Sequence, residues 1–147
     1  MRFIVDTMLG TLAKWLRVLG FDTIYAKDTS DGEILSIAER EDRIIISRDR
    51  DLCERKSNSI FILHTELDNQ IAQVVEAYPV NEENILSRCL ECNSALDIAS
   101  KIEAKGKVPN GVIVRHEEFW KCQKCNKFYW PGSHWTNMKI TAEKFIS

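Results

Sequence analysis

The 147-residue chain carries 20 Lys+Arg against 22 Asp+Glu, a formal net charge of −2, with 44% hydrophobic residues, six Gly and three Pro. That composition excludes a disordered chain, and no apolar run approaches the roughly 20 residues that a membrane-crossing helix needs. Met1-Arg2-Phe3-Ile4-Val5 meets Asp6 before the apolar core of a signal peptide can build, so a cytoplasmic protein with no membrane contact is expected.

In chain order, Arg2-Phe3-Ile4-Val5-Asp6 reads as a short apolar strand ending in a carboxylate. Leu9, Leu12, Ala13, Leu16 and Leu19 then recur at spacings of three and four, a helix that Gly20 stops. Thr23-Ile24-Tyr25-Ala26 is a second strand, and Ser30-Asp31-Gly32-Glu33 has the form of a capping box opening a second helix. Arg43-Ile44-Ile45-Ile46-Ser47 is a β-branched run of the kind covered on both faces, with a short helix following from about Asp51. Ile60-Phe61-Ile62-Leu63 is a fourth strand, and Thr65 to Tyr78 a fourth helix that Thr65 caps. Four strand–helix alternations predict a doubly wound parallel α/β sheet with helices on both faces, over residues 1–80. A linker is expected over 81–87. Residues 88–147 break the pattern with paired Cys and short β-like pieces at Gly111 to Arg115 and Lys127 to Trp130.

Charge divides the same way. Residues 1–88 carry 11 Lys+Arg and 16 Asp+Glu, a net of −5, and residues 89–147 carry 9 and 6, a net of +3. In the acidic part, Asp6 ends strand one, Asp28 and Asp31 follow strand two, and Asp49 and Asp51 follow strand three. The functional crevice of an open parallel sheet lies outside the carboxyl ends of its strands, so five acids gather at one rim. Two carboxylates about 4 Å apart repel by roughly 4 kcal/mol at an effective dielectric of 20. Mg²⁺ or Mn²⁺, bound through carboxylates and water, offsets that repulsion and suits phosphodiester hydrolysis. Helix capping is the plain alternative role for Asp28, Asp31 and Asp51. Cys53, beside Leu52, reads as a packed thiol.

The basic part holds Cys89-x-x-Cys92 and Cys122-x-x-Cys125, each followed by Asn, at Asn93 and Asn126. Both pairs suit one tetrahedral Zn²⁺, and Asn suits the left-handed backbone that such a turn needs. A segment of about 60 residues with few aliphatics also needs the metal to fold. Lys121, Lys124 and Lys127 would form its basic surface, while Trp130 and Trp135 either stack on unpaired bases or pack the small core. Pro131-Gly132-Ser133-His134-Trp135 reads as a compact turn with a polar-aromatic tip, where Ser133 and His134 are candidates to meet nucleic acid. Lys14, Arg17 and Arg48 are candidates to steady phosphate.

The run Phe3-Ile4-Val5-Asp6-x-Met8-Leu9-Gly10, then Leu12-Ala13-x-Trp15-Leu16-Arg17, Ser30-Asp31, Ser47-Arg48-Asp49, the two Cys pairs and Tyr129-Trp130-Pro131-Gly132-Ser133-His134-Trp135 resembles a known family. It is the PIN-like ribonuclease domain with a C-terminal zinc ribbon, named for the C-terminal part of the "mutator seven" exonucleases. The resemblance implies a PIN-like α/β fold, metal-dependent cleavage of single-stranded or structured RNA, a structural Zn²⁺ and a catalytic Mg²⁺ or Mn²⁺. By position it assigns the catalytic acids to Asp6, Asp31, Asp49 and Asp51, with Asp28 as a further metal ligand. Family members often carry an acid within a helix, where this chain has only Asp31 or Glu33 at a helix start, so Asp28 and Asp31 stay alternatives. A non-catalytic RNA-binding module is the second expectation.

Overall fold

The computed structural model describes residues 1–146. Strands β1 (Arg2–Asp6), β2 (Asp22–Ala26), β3 (Ile44–Ser47) and β4 (Ser59–Phe61) form one parallel sheet in the order β2-β1-β3-β4. Helices α1 (Gly10–Val18), α2 (Asp31–Arg40), α3 (Arg50–Glu54) and α4 (Leu67–Ala77) alternate with them. Period-two alternation along β1 and β3 sorts the core into two faces. Phe3, Val5, Ile44 and Ile46 pack against Leu12, Leu16, Ile71 and Val74 of α1 and α4. Ile4 and Ile45 pack against Ile34 and Ala38 of α2 and Leu52 of α3. Full burial of each Leu or Ile contributes roughly 1.5–3 kcal/mol, so both faces of the sheet hold helices.

The expected starts and stops hold in part. Gly20 ends α1 with φ +93°, and a Cβ there would lie 2.3 Å from the carbonyl oxygen of Asn84, so a side chain is excluded twice over. Ser30 accepts the Glu33 N–H and caps α2. Thr65 caps nothing: α4 begins two residues later, after Glu66, without a side-chain cap. The short third helix starts one residue before the expected Asp51, and Asp49 caps it.

Beyond α4, a 3-10 turn (Glu82–Asn84) leads to Leu86, which is buried in the α1 face of the core and donates its N–H to the Val18 carbonyl. Strands β5 (Asp97–Ala99), β6 (Phe119–Lys121) and β7 (Phe128–Tyr129) form an antiparallel sheet, with short helices α5 (Lys101–Ala104) and α6 (Asn110–Arg115) between β5 and β6. Residues 111–115 are thus helical, correcting the β-like reading: Pro109 fixes the entry and the turn buries Val112. Pro131 to Trp135 is not a free tip either. Ser133 opens an eleven-residue helix, α7 (Ser133–Glu143), whose Met138 and Ala142 complete the core against α1. No helix among the described residues is long and apolar enough to cross a membrane.

Candidate functional site

The sulfur atoms of Cys89, Cys92, Cys122 and Cys125 all lie within 4.8 Å of one another. Cys89 and Cys125 are 3.5 Å apart, Cys92 and Cys122 3.3 Å. Tetrahedral ligands about 2.3 Å from a zinc ion stand about 3.8 Å apart, so the donor set suits that metal in number, chemistry and spacing. Each knuckle closes in the same way. Asn93 (φ 74°) donates its N–H to the Cys89 carbonyl at 2.9 Å, and Asn126 (φ 58°) donates to the Cys122 carbonyl at 2.8 Å. Burial raises the Cys92 thiol, but hydrogen bonds with Ser94 and with the thiols of Cys122 and Cys89 together outweigh burial and draw it down to about 6. Cys125 is pushed up to about 12 by burial and by the thiols of Cys122 and Cys89. The Tyr129 hydroxyl lies 3.2 Å from the Cys89 sulfur and accepts the Leu90 N–H at 3.1 Å.

The first knuckle is clamped to the parallel sheet. Asn93 accepts the Thr23 N–H at 2.8 Å through Oδ1 and donates through Nδ2 to Asp22 at 2.7 Å. Asp22 in turn pairs with the buried Arg43 at 2.8 Å. Burial raises the Asp22 carboxyl, but hydrogen bonds from Arg43 and Asn93 prevail and hold it below its usual range. Arg17, expected at phosphate, is committed elsewhere: it donates to the carbonyls of Thr23, Leu90 and Glu91 at 2.9, 2.9 and 3.3 Å. The local sequence around Asn93 shows only its turn. The bond from β2 joins residues 70 positions apart and leaves no local pattern.

At the other end of the sheet, the acids follow three adjacent strands. The order in which strands are added reverses between β1 and β3, the place where open α/β sheets form their crevice. Asp6 accepts the Ser47 hydroxyl at 2.8 Å and the Thr7 N–H at 2.7 Å. Ser47, fully buried at the end of β3, accepts the Asp49 N–H at 2.9 Å and so links the two acids. Asp49 also accepts the Leu52 N–H at 3.3 Å. Asp28, Asp31 and Asp51 are exposed on the loops and first turns beyond the strand ends. No three carboxylates among the described residues bring oxygens within 4.8 Å of one another. Cys53 is buried beneath this rim, 3.9 Å from the Ser47 carbonyl, and burial raises its thiol.

Six residues expected at nucleic acid, Lys14, Lys127, Trp130, Ser133, His134 and Trp135, line a single cavity of about 370 Å³ beside the cysteine centre. The aromatic side chains also pack: Trp130 lies against the Phe119–Phe128 cluster and Trp135 against the cysteine centre. Besides Arg17, three further expected cations are not in that lining. Arg48 donates to the His64 carbonyl at 3.2 Å, Lys121 lies 3.9 Å from Glu103, and Lys124 is exposed.

Against known proteins, the chain is 33% identical over 112 residues to a Caenorhabditis elegans protein called exonuclease mut-7, covering 66% of this chain and 12% of that protein. No solved structure matches. The family model described as Mut7-C RNAse domain matches residues 1–142 of the chain. With the parallel sheet and the cysteine centre both inside that match, the chain belongs to the Mut7-C RNAse domain family.

Proposed function

We propose that this chain hydrolyses RNA phosphodiester bonds with Mg²⁺ or Mn²⁺ held where β1 and β3 end, and that the four cysteines hold one structural Zn²⁺. The observation that carries the reading is the Asp6–Ser47–Asp49 chain of hydrogen bonds at the reversal of the sheet. The donor set fits a hard divalent cation: each carboxylate offers about four lone-pair sites, and neighbours use two on Asp6 and one on Asp49. When bound, such a cation activates water and offsets charge on the phosphate. Ser47 aims the Asp6 carboxylate, and its burial fixes that aim. Asp51, with Asp31 or Asp28, completes the rim by holding metal or orienting the attacking water. Arg48, which follows β3, steadies phosphate.

A second reading, a non-catalytic RNA-binding protein, is favoured by one fact: Asp6 and Asp49 already cap the 3-10 turn Thr7–Leu9 and α3. Asn caps a helix as well as Asp does, which separates the readings. Labelled RNA incubated with the zinc-loaded chain and Mn²⁺ should be cut. Asp6→Asn and Asp49→Asn should stop cutting while thermal stability is retained. Equal cutting by both variants would remove the acids from the chemistry.

A further inference from the structure

The cavity of about 370 Å³ lies where α1, the first cysteine knuckle, β7 and the start of α7 meet, and neither the acidic rim nor the cysteine centre uses it. Its volume is at the small end of ligand sites, right for one nucleotide-sized group and too small for a duplex. Its walls are apolar: Leu90, Tyr129, Trp130, Trp135 and Met138. Trp135 is pre-placed. Trp120, which is outside the lining, stacks on it with centroids 4.9 Å apart and planes 11° from parallel. A flat wall braced from behind favours a flat ligand, since the ring loses little freedom on binding.

The mouth has a different chemistry. The lining carries two ammonium groups, Lys14 and Lys127, against the single carboxylate of Glu91. Glu91 pairs with Lys127 at 3.0 Å, while the Lys14 ammonium makes no ion pair or hydrogen bond among the described residues and feels Glu91 only at longer range. Ser133 and His134, the first residues of α7, also line the cavity. That eleven-residue helix has no side-chain cap and no acid in its first turn, so its positive end opens there without a counter-charge. Gly132 lets the Trp130 indole approach the backbone, because a Cβ there would lie 3.0 Å from the indole nitrogen.

A flat apolar slot beside an ammonium with no ion pair of its own and a bare helix terminus matches a base with its phosphate. We infer that this cavity takes one unpaired nucleotide of an RNA strand, its base against Trp135 and its phosphate between Lys14 and the start of α7. The inference rests on RNA being the substrate. None of Asp6, Ser47 or Asp49 lines the cavity, so it holds a strand away from the point of cutting.

The test is binding by the zinc-loaded chain without added Mg²⁺ or Mn²⁺, read by fluorescence anisotropy and tryptophan emission. The probes are a short unpaired oligoribonucleotide, the same strand made fully abasic, and a blunt RNA duplex. The unpaired strand should quench tryptophan emission and bind about tenfold or more tighter than either control. Lys14→Glu, at an exposed position on α1, should weaken binding about tenfold with folding unchanged. Trp135→Leu should abolish the preference for bases, and if that variant does not fold, Lys14→Glu and the abasic strand decide alone. Equal binding of the abasic strand, or an unchanged affinity in Lys14→Glu, overturns the inference. Because no catalytic cation is present, failure here is distinct from failure to cut RNA with Mn²⁺.

Discussion

The cysteine centre and the acidic rim are both candidate metal sites, and they are built in opposite ways. Each cysteine pair comes from one tight turn closed by an Asn in the left-handed region, so the two ligands of a pair are placed by local backbone alone. Four sulfurs gather within 4.8 Å, and burial that raises the Cys122 and Cys125 thiols limits charge there until a metal binds. The acids come from three strand ends. They reach the same edge only through the order of the sheet, and only Asp6 and Asp49 are tied together, through Ser47. A centre made of local turns is complete in its ligands. A centre made of like charges depends on the cation that binds it.

The comparison can be broken or sharpened, beginning with the largest effect. Structural zinc contributes on the order of 10–16 kcal/mol to small modules, so Cys89→Ser or Cys122→Ser should unfold the region of β5 to β7. Circular dichroism and elemental analysis, with one zinc per parent chain and none per variant, check this. Zinc retention should also fall with pH, since the ligands must lose protons to bind. At the rim, Asp6→Asn should slow cleavage by about a hundredfold or more, a loss of several kcal/mol of transition-state stabilisation. A denaturation curve matching the parent's would show that the cap survives.

The link between the two sites has its own scale. Asn93→Gly keeps the backbone turn but loses the bonds to Thr23 and Asp22, and should cost about 1–3 kcal/mol. Asn93→Ala should cost more, by the strain of φ 74°. Urea denaturation of both variants separates turn from clamp, and equal loss in the two would mean the turn costs nothing. The smallest effect is with acid. The folded Asp22 carboxyl is held below its ordinary value of 3.8. Its stabilisation is therefore complete above that value and is lost as pH falls through the folded one. Asp22→Asn should flatten the acid limb of a stability–pH curve below pH 3.8 and leave the limb above it unchanged.

What could be read from the chain follows from the same contrast between local and distant causes. The apolar periods of β1, α1, α2, β3 and α4 are local and long enough to show, and so are the Cys-x-x-Cys-Asn knuckles. Val112, Ile113 and Val114 mislead because β-branched residues favour strands, yet Pro109 and the burial of Val112 make one helical turn cheaper there. Helix α7 is hidden by Thr136, Asn137 and Thr141, weak helix formers. The usable signal was Trp135, Met138 and Ala142 at spacings of three and four. Arg17 looked like a cation for phosphate because nothing near it in sequence shows the Leu90 and Glu91 carbonyls it serves.

The most direct test is a Mn²⁺ titration of the zinc-loaded chain, followed by calorimetry, for the parent and for the double variant Asp6→Asn/Asp49→Asn. The parent should show saturable Mn²⁺ binding that the double variant loses, with zinc content unchanged in both. Identical Mn²⁺ binding by the two chains would contradict a catalytic cation held where β1 and β3 end.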